Sequence, residues 1–419
     1  MTSFLDSLET RAPKVREDAL MAALREQVAQ AQNHTAAFSA ILQGVKAEGI
    51  QSRADLARLP VTRKYELLER QQASRNAPGA ARDPFGGFSA LVRGKGMGRV
   101  FSSPGPIYEP EGRRADYWRA ARALYAAGFR EGDLVHNAFS YHMTPGAFIL
   151  ESGAMAIGCT VFPAGVGQTE QQLQAMADLQ PNAYVGTPSF LRILVEKAEE
   201  AGQALSIRKA MVSGEACPPS LTAWFAEKGI AAYQCFATAD LGLIAYETES
   251  RQGLVVDEGV IVEVVRPGTG DPVPDGEVGE LVVTTLNPDY PLIRFGTGDM
   301  TAVLAGQCPT GRTNQRIKGW MGRADQTTKV KGMFVHPGQI ADVLKRHPQA
   351  LKARLVVSGE MANDHMQLLV ETQAANEALS QAVGESLREV TKLRGDIKLV
   401  APGSLPNDGK VIEDARSYK

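Results

Sequence analysis

Apolar residues first recur at helical spacing and then mark alternating helices and strands. Between residues 18 and 42 they return every three or four positions, which predicts amphipathic helices packed on a larger body. Ser52 caps a further short helix that ends at Pro60, and residues 115–127 are predicted as a strong helix before the buried strand segment GDLVHNAF. Helices and strands then alternate through residues 160–200, which is typical of α/β layers.

The pattern changes near residue 255, where short β-branched segments separated by Pro, Gly and Asp predict an antiparallel β subdomain. Beyond Gly322 the sequence predicts a small α+β unit with helices over residues 337–344 and 377–391. The predicted fold class is therefore α/β. A large N-terminal domain spans residues 1–322, and a smaller C-terminal α+β domain spans residues 323–419.

Composition narrows the classes of partner. Hydrophobic residues make up 44% and charged residues 22% of the 419 positions, as in ordinary globular proteins. The 45 Lys and Arg nearly balance the 47 Asp and Glu, leaving a net charge of −2. No global field therefore favours nucleic acid or a membrane surface, and an anionic ligand must be held locally.

Cysteine usage and hydropathy indicate a cytoplasmic protein. Cys159, Cys217, Cys235 and Cys308 are widely spaced and form no close pair, so neither a disulfide framework nor a thiolate zinc knuckle is predicted. The amino-terminal stretch has no apolar segment of signal-peptide length, and the most apolar later stretch is interrupted by Glu151.

Two long ordered motifs lie late in the chain, PLIRFGTGDMTAVLAGQCPTGRT and GWMGRADQTTKVKGMFVHPGQIADVL. Together with LARLPVTRKYELLE, AAGFREGDLVHNAFSYHM, VGTPSFLRILVEKA and LPNDGK, they make the chain resemble the phenylacetate-CoA ligases, a branch of the adenylate-forming superfamily. The resemblance implies an AMP-forming acid–thiol ligase with a mobile C-terminal domain. It implies ATP, Mg²⁺ and coenzyme A as cofactors, a small aryl carboxylic acid as substrate, and a homodimer as one option.

Asp299 follows a Gly-Thr-Gly segment, read here as a turn at a strand end, where its carboxylate can accept hydrogen bonds from both hydroxyls of a ribose. The resemblance implies that Asp299 holds the ribose and that Arg323 reaches the same ribose or the phosphate. It also implies that Asp325 is the hinge and that Lys331 and Gly332 line the coenzyme A entry. A solvated turn carboxylate and a surface arginine are the plain alternative.

Lys410 lies in the segment PNDGK near the end of the chain. The resemblance implies that its ammonium enters the site and neutralises the carboxylate and α-phosphate during adenylation. An ordinary solvated lysine in the tail is the alternative.

The family's phosphate loop reads Ser-Ser-Gly-Thr-Thr-Gly-Lys-Pro, and the matching stretch here is FSSPGPIYEP. Ser102, Ser103 and Gly105 remain as candidate phosphate contacts, but Pro104 and Pro106 lack backbone N–H donors and stiffen the loop. The sequence thus leaves a second function open, a homologue that binds AMP or an acyl-adenylate without efficient ATP-dependent adenylation.

The family's Tyr-Gly-x-Ser/Thr-Glu motif aligns with Phe236, Ala237, Thr238, Ala239 and Asp240. The resemblance implies adenine stacking on Phe236 and a catalytic, magnesium-binding role for Asp240. Thr238 can replace the hydroxyl lost at Ala239. Because aspartate is one methylene shorter than glutamate and magnesium demands tight octahedral geometry, binding through a water is one expectation.

The remaining candidates form the walls of the site. The segment VSGEACPPS aligns beside the nucleotide, and FSYHMTPG aligns near the acyl group. The nucleotide-wall residues are Ser213, Gly214 and Glu215, and the acyl-pocket residues are Phe139, Tyr141, His142 and Ile244. For Tyr141 and His142, a core aromatic and a satisfied helix-end histidine are equally good readings.

Some relatives carry a zinc site near the equivalents of Thr248, Val255 and Cys308. Cys308 alone is a soft ligand here, so no zinc is expected.

Overall fold

The computed structural model describes residues 4–79, 82–266, 270–324, 328–331, 333–335, 337–359, 364–406 and 411–416. By internal contacts the chain divides into two compact units, Met1–Met321 and Gly322–Lys419. The helices are α1 (Pro13–His34), α2 (Ala36–Ile41), α3 (Arg53–Leu56), α4 (Lys64–Arg75), α5 (Ala121–Ala126), α6 (Gly146–Ala156), α7 (Thr169–Leu179), α8 (Pro188–Glu200), α9 (Pro219–Glu227), α10 (Pro337–Lys345) and α11 (Glu377–Thr391), with 3₁₀ turns at Ser7–Thr10 and Ala47–Gly49.

The strands are β1 (Thr62–Arg63), β2 (Met97–Ser103), β3 (Ile107–Gly112), β4 (Leu134–Asn137), β5 (Thr160–Phe162), β6 (Ala183–Gly186), β7 (Lys209–Val212), β8 (Ala231–Thr238), β9 (Gly242–Glu247), β10 (Leu254–Val256), β11 (Val260–Val265), β12 (Gly279–Thr285), β13 (Phe295–Thr301), β14 (Val303–Leu304), β15 (Arg316–Ile317), β16 (Thr328–Val330), β17 (Met333–Val335), β18 (Ala350–Ser358), β19 (His365–Thr372), β20 (Asp396–Val400) and β21 (Ile412–Asp414).

The first unit is built on a large mixed sheet. Within the described residues it has nine strands in the order β14-β15-β10-β9-β8-β7-β6-β4-β5, of which the run from β8 to β5 is parallel. The central strand β6 (Ala183–Gly186) is buried along its whole length, as expected for a parallel strand covered on both faces. The covering helices start at local signals. Helix α8, for example, has Thr187 accepting from the Phe190 amide and Pro188 at its first position.

A second sheet of the first unit has the order β1-β13-β12-β11. Strands β11 to β13 are antiparallel, which agrees with the predicted β subdomain, and β1 adds to β13 in parallel. Residues of α1 and α2, including Leu24 and Phe38, share one apolar core with this sheet. The predicted amphipathic helices therefore cover the sheet that carries the late sequence motif.

The predicted helix over residues 115–127 is wrong in its first half, because the structure has a helix over Ala121–Ala126 alone. Asp116 and Arg119 adopt positive φ of 47° and 66°. Both carboxylate oxygens of Asp116 accept from the Ala121 amide at 3.2 Å. An aspartate that bonds the backbone ahead of it competes with helix formation, so the helix begins only after this turn.

The second unit has a four-stranded sheet, β20-β19-β18-β21, among its described residues, with β16 and β17 as a separate ladder. Helix α11 packs beside β20 and buries Leu379, Val383 and Leu387 in the core of this unit. Asn376 accepts from the Leu379 amide at 2.9 Å and begins the helix at its predicted residue. Across the described parts of both units, no helix is long and apolar enough to span a bilayer.

Candidate active site

Asp299 projects from a distorted part of β13. The sequence predicted a turn at a strand end for the Gly-Thr-Gly segment, and this prediction is wrong because the segment lies within β13. At this point the register of β13 against β12 shifts, and Gly298 has φ +74°. The Asp299 amide donates to Thr297 Oγ1 at 3.1 Å, and its Oδ1 accepts from Trp320 Nε1 at 3.1 Å. With 8% of its surface exposed, Asp299 is a buried carboxylate held in a defined orientation.

The stretch that aligns with a phosphate loop is a tight β-hairpin between β2 and β3, with Ser103 opposite Ile107. Several of its donors are bonded within the protein. The Ser102 amide donates to the Met143 carbonyl at 2.8 Å, and the Tyr108 amide donates to Gln71 Oε1 at 2.8 Å. Ser103 Oγ donates to Glu109, and the two prolines at the tip have no N–H. Little of the anion cradle expected from the alignment is left.

A buried group of ionisable side chains lies behind this hairpin, formed by Lys64, Glu109, Asp240 and Tyr290. Lys64 Nζ donates to Asp240 Oδ2 at 2.7 Å, and the Asp240 side chain is 1% exposed against 36% for Lys64. Glu109 Oε2, Asp240 Oδ1 and the Tyr290 hydroxyl are buried without a hydrogen-bond partner. Four segments that are distant in sequence thus bring two carboxyl groups, one phenol and one partly exposed ammonium close together.

Burial raises the pKa of Glu109 to about 8, and the nearby charge of Asp240 adds to the shift. The hydrogen bond from Ser103 and the charge of Lys64 act in the opposite direction. Because the pKa of Glu109 is higher in the folded than in the unfolded protein, the folded protein holds an extra proton at pH values between these two pKa values. The contribution of Glu109 to stability is therefore fully present below its unfolded pKa and is lost as the pH rises through its folded pKa of about 8.

We expect Glu109→Gln to remove this pH dependence, because glutamine keeps the shape without an ionisable proton. The melting temperature of the variant, relative to the unsubstituted protein, should rise by several degrees between pH 5.5 and 8.5 when followed by circular dichroism. The exposed Glu377→Gln, on the first turn of α11, is the matched control. A constant difference between the two proteins across this range would contradict the assignment.

Magnesium does not fit at Asp240 in this arrangement. An ammonium 2.7 Å from Oδ2 occupies one side of the carboxylate and repels a second cation, whereas magnesium requires a near-octahedral set of oxygen ligands. In the part of the chain that the structure describes, His, Cys, Asp and Glu side chains form no cluster of three or more suited to a metal. We therefore derive no step through a metal held by Asp240.

The predicted nucleotide-wall residues directly follow the carboxyl end of β7, and Ser213 reaches the neighbouring strand β8. Ser213 Oγ donates to the Cys235 carbonyl at 2.8 Å, and Glu215 is exposed and accepts from Ser189 Oγ at 2.5 Å. Gly214 is exposed with φ +80°, a conformation that favours glycine. These neighbouring strands are parallel, so the wall is at the carboxyl edge of the sheet, where α/β proteins bind ligands.

Phe236, Ala237 and Thr238 form the half-buried end of β8. Phe236 packs partly against the core below the β subdomain. Thr238 Oγ1 accepts from the Leu241 amide at 3.2 Å, so this hydroxyl already takes part in the turn that leads to Asp240. The structure thus joins the aromatic, the hydroxyl and the carboxylate of the aligned motif in one turn.

The predicted acyl-pocket residues separate in the structure. Phe139 is half-buried beside the wall, since a Cβ added to Gly214 would lie 3.8 Å from its ring. Tyr141 donates to Glu151 Oε2 at 2.5 Å and accepts from Asn137 at 2.9 Å, and burial followed by the Glu151 contact raises the pKa of Tyr141 far above its usual value. His142 is exposed, and Ile244 is fully buried in the core rather than facing an open pocket.

Of the residues predicted in the second unit, Arg323 is half-buried, and Lys331 is exposed with φ +46° and an amide that donates to Asp364 at 2.7 Å. Asp325, Gly332 and Lys410 lie outside the described residues, so their roles stay predictions.

Cys308 sits among hydroxyl groups. Its Sγ lies 3.1 Å from Thr310 Oγ1, 3.7 Å from Thr248 Oγ1 and 3.9 Å from Ser250 Oγ. Burial raises the pKa of this thiol, but the hydrogen bonds to it outweigh burial, so its pKa falls below the ordinary value. Neutral hydroxyl groups thus surround Cys308, which is the one cysteine among the three positions compared with a zinc site.

Sequence reasoning missed Lys64 and Glu109. Lys64 stands in LARLPVTRKYELLE, a segment already noted for its resemblance, where a basic residue opens a helix. Glu109 shares the buried face of β3 with Ile107, and their spacing of two residues was the available signal.

Comparison with known proteins decides the family. The protein family described as AMP-binding enzyme matches residues 140–287, and the family described as AMP-binding enzyme C-terminal domain matches residues 332–415. Over 374 residues the chain is 31% identical to the phenylacetate-coenzyme A ligase of Thermus thermophilus, covering 84% of this chain and 81% of that protein. This chain belongs to the phenylacetate-CoA ligase family. The corresponding ligase of Aromatoleum evansii is 31% identical and covers 73% of this chain and 70% of its own length.

Solved structures agree with this membership. A 2-hydroxyisobutyryl-CoA ligase in complex with 2-HIB-AMP and CoA matches 99% of this chain and 93% of its own length, with a TM-score of 0.80 and 26% identity. The predicted fold class, an α/β adenylate-forming domain followed by a smaller C-terminal domain, is thereby confirmed. The predicted enzyme class is confirmed as well, and the chain is an adenylate-forming CoA ligase.

Proposed function

We propose that this ligase activates an aryl or similarly compact carboxylic acid with ATP, forming an acyl-adenylate and pyrophosphate, and that the thiolate of coenzyme A then displaces AMP. The observation that carries the proposal is the oriented, buried carboxylate of Asp299, placed on the strand of the sequence motif that suggested ribose binding. Arg323 is proposed as its companion, and Lys410 as the mobile cation of the first half-reaction.

The aryl preference is supported by two aromatic side chains that directly follow β4, Phe139 and Tyr141, and by the aromatic residues packed next to Tyr141. Phe139 lies beside the Gly214 turn, and Tyr141 stacks edge-on against Phe148 with 5.2 Å between ring centres. Phe148 in turn lies 5.1 Å from Phe101 on β2. Apolar walls with few polar groups suit an aromatic or branched acyl group. The 2-hydroxyisobutyryl-CoA ligase acts on a non-aromatic acid, so short branched acids belong in the test panel.

A second candidate function is favoured by the closed β2–β3 hairpin. It is a member of this family that uses AMP or a preformed acyl-adenylate and performs the ATP-dependent half-reaction slowly. The amides of Ser102 and Tyr108 are already bonded, and Ser103 is bonded to Glu109. The terminal phosphates of ATP would thus meet few donors, whereas the residues proposed to hold the ribose are kept.

We expect acid-dependent exchange between ATP and pyrophosphate to be slower than coenzyme A-dependent AMP release from a supplied acyl-adenylate by roughly 100-fold, the usual effect of losing one or more stabilising donors. Both rates are measured over a panel of benzoic, phenylacetic and short branched acids, with Lys410→Ala as the control.

Exchange with one acid that disappears in Lys410→Ala would establish the full ligase and identify its substrate. If no acid supports exchange while AMP still binds, the ATP-dependent reading is wrong and the second candidate stands.

A further inference from the structure

Lys64 is anchored to the strand that carries Asp299. Strand β1 pairs in parallel with β13, with Thr62 beside Phe295 and Arg63 beside Gly296. Lys64 is the next residue and begins α4, so its backbone lies along the segment that leads to Asp299. Arg63 in turn bonds Glu280 on β12 at 2.6 Å, which fixes this junction to the β subdomain.

The neighbours of the Lys64 ammonium are carboxyl groups, which are also the groups that would surround a bound metal cation. It donates to Asp240 Oδ2 at 2.7 Å, and its charge acts on the buried carboxyl of Glu109. Two carboxyl groups buried together need a compensating positive charge. Lys64 supplies one from within the protein, while 36% exposure leaves part of its side chain accessible to a ligand.

We propose that the ammonium of Lys64 is a built-in cation of the nucleotide site, which takes the place beside Asp240 that the family resemblance assigns to a divalent ion and donates a charge-assisted hydrogen bond to the phosphate of AMP or an acyl-adenylate. This inference rests on the proposed function in taking the site of Asp299 and Asp240 as the nucleotide site. Lys64 is then a ligand-binding residue, and Asp240 positions it.

One consequence concerns the kind of nucleotide the site accepts. A tethered ammonium is a single positive charge of fixed reach, which can contact one phosphate group but cannot serve three. A triphosphate carries more charge than one ammonium compensates, and the adjoining hairpin offers few donors to the remainder. Lys64 and the hairpin thus favour the same substrate class.

The test measures AMP affinity of the full chain by titration calorimetry, once with magnesium and once with excess EDTA. We expect the unsubstituted protein to bind AMP equally, within about twofold, under the two conditions. Lys64→Gln should weaken AMP binding by roughly tenfold or more in EDTA, the effect of removing a charge-assisted hydrogen bond. Lys14→Gln is the matched control, because Lys14 is 84% exposed and pairs with Asp18 on the surface.

Two results would overturn the proposal. One is a loss of AMP affinity by tenfold or more in the unsubstituted protein when magnesium is removed, a comparison that needs no variant and is unaffected by misfolding. The other is a folded Lys64→Gln protein, checked by thermal unfolding, that binds AMP like Lys14→Gln. Neither result depends on pyrophosphate exchange, so failure of this inference and failure of the proposed function are separable.

Discussion

Asp299→Asn is expected to weaken AMP binding by roughly 100-fold, since a hydrogen bond to a charged group contributes about 1.5 to 3 kcal/mol and one carboxylate oxygen is replaced by an amide nitrogen that cannot accept from a ribose hydroxyl. The fold should persist, because asparagine keeps the oxygen that accepts from Trp320 Nε1. Calorimetric titration with AMP measures the loss, and thermal unfolding verifies the fold.

Trp320→Phe separates orientation from charge in this test. It removes the donor to Asp299 Oδ1 but leaves the carboxylate, so we expect a smaller loss of AMP affinity than in Asp299→Asn. Equal affinity of Asp299→Asn and the unsubstituted protein would remove Asp299 from the ribose site. It would also remove the main support for the proposed function.

Arg294→Met is expected to lower the free energy of unfolding by roughly 3 to 5 kcal/mol, as when one partner of a buried ion pair is removed. Arg294 is 1% exposed and forms a two-point ion pair with Glu263 at 3.0 Å. Its remaining donors bond the carbonyls of Ala57, Leu59 and Gly270. The variant would leave a buried carboxylate and three carbonyls without partners. Urea unfolding followed by circular dichroism measures the change.

The double variant Arg294→Met, Glu263→Leu is the control, because it removes both buried charges together. We expect it to recover part of the lost stability, since an apolar pair of similar volume avoids the unpaired charge. Surface Arg58→Met, at a residue whose side chain is 79% exposed, should change stability little. A loss below about 1 kcal/mol in Arg294→Met would show that the buried pair is weakly stabilising.

Local sequence signals predicted the elements whose causes are local. Helix α11 runs over the predicted residues because Asn376 caps it and its apolar positions recur at helical spacing. The motif around Asp299 pointed to a site carboxylate, although its strand distortion depends on pairing with β12. The helix predicted from residue 115 begins only at Ala121, because the side chain of Asp116 accepts a hydrogen bond from the Ala121 amide and favours a turn over the helix.

The ion pairs and hydrogen bonds of the site could not be predicted from local sequence patterns. Lys64 and Asp240 are 176 residues apart, and no periodicity reports a contact across that separation. Ile244 illustrates the reverse case, since alignment beside a motif placed it in the acyl pocket while packing placed it in the core. Side-chain partners in this site follow from how α4, β3 and the β8–β9 turn meet, which is a property of tertiary packing.

Trp320 gives the protein an intrinsic fluorescent reporter next to Asp299. Of the three tryptophans, Trp118 is buried and Trp224 stacks edge-on against Phe225, whereas the Trp320 indole is 41% exposed and donates to Asp299. A ligand that takes over this carboxylate changes the hydrogen bonding and polarity around that indole. Its fluorescence emission should then shift with occupancy, so ligand exchange can be followed in real time without a dye or a coupled enzyme.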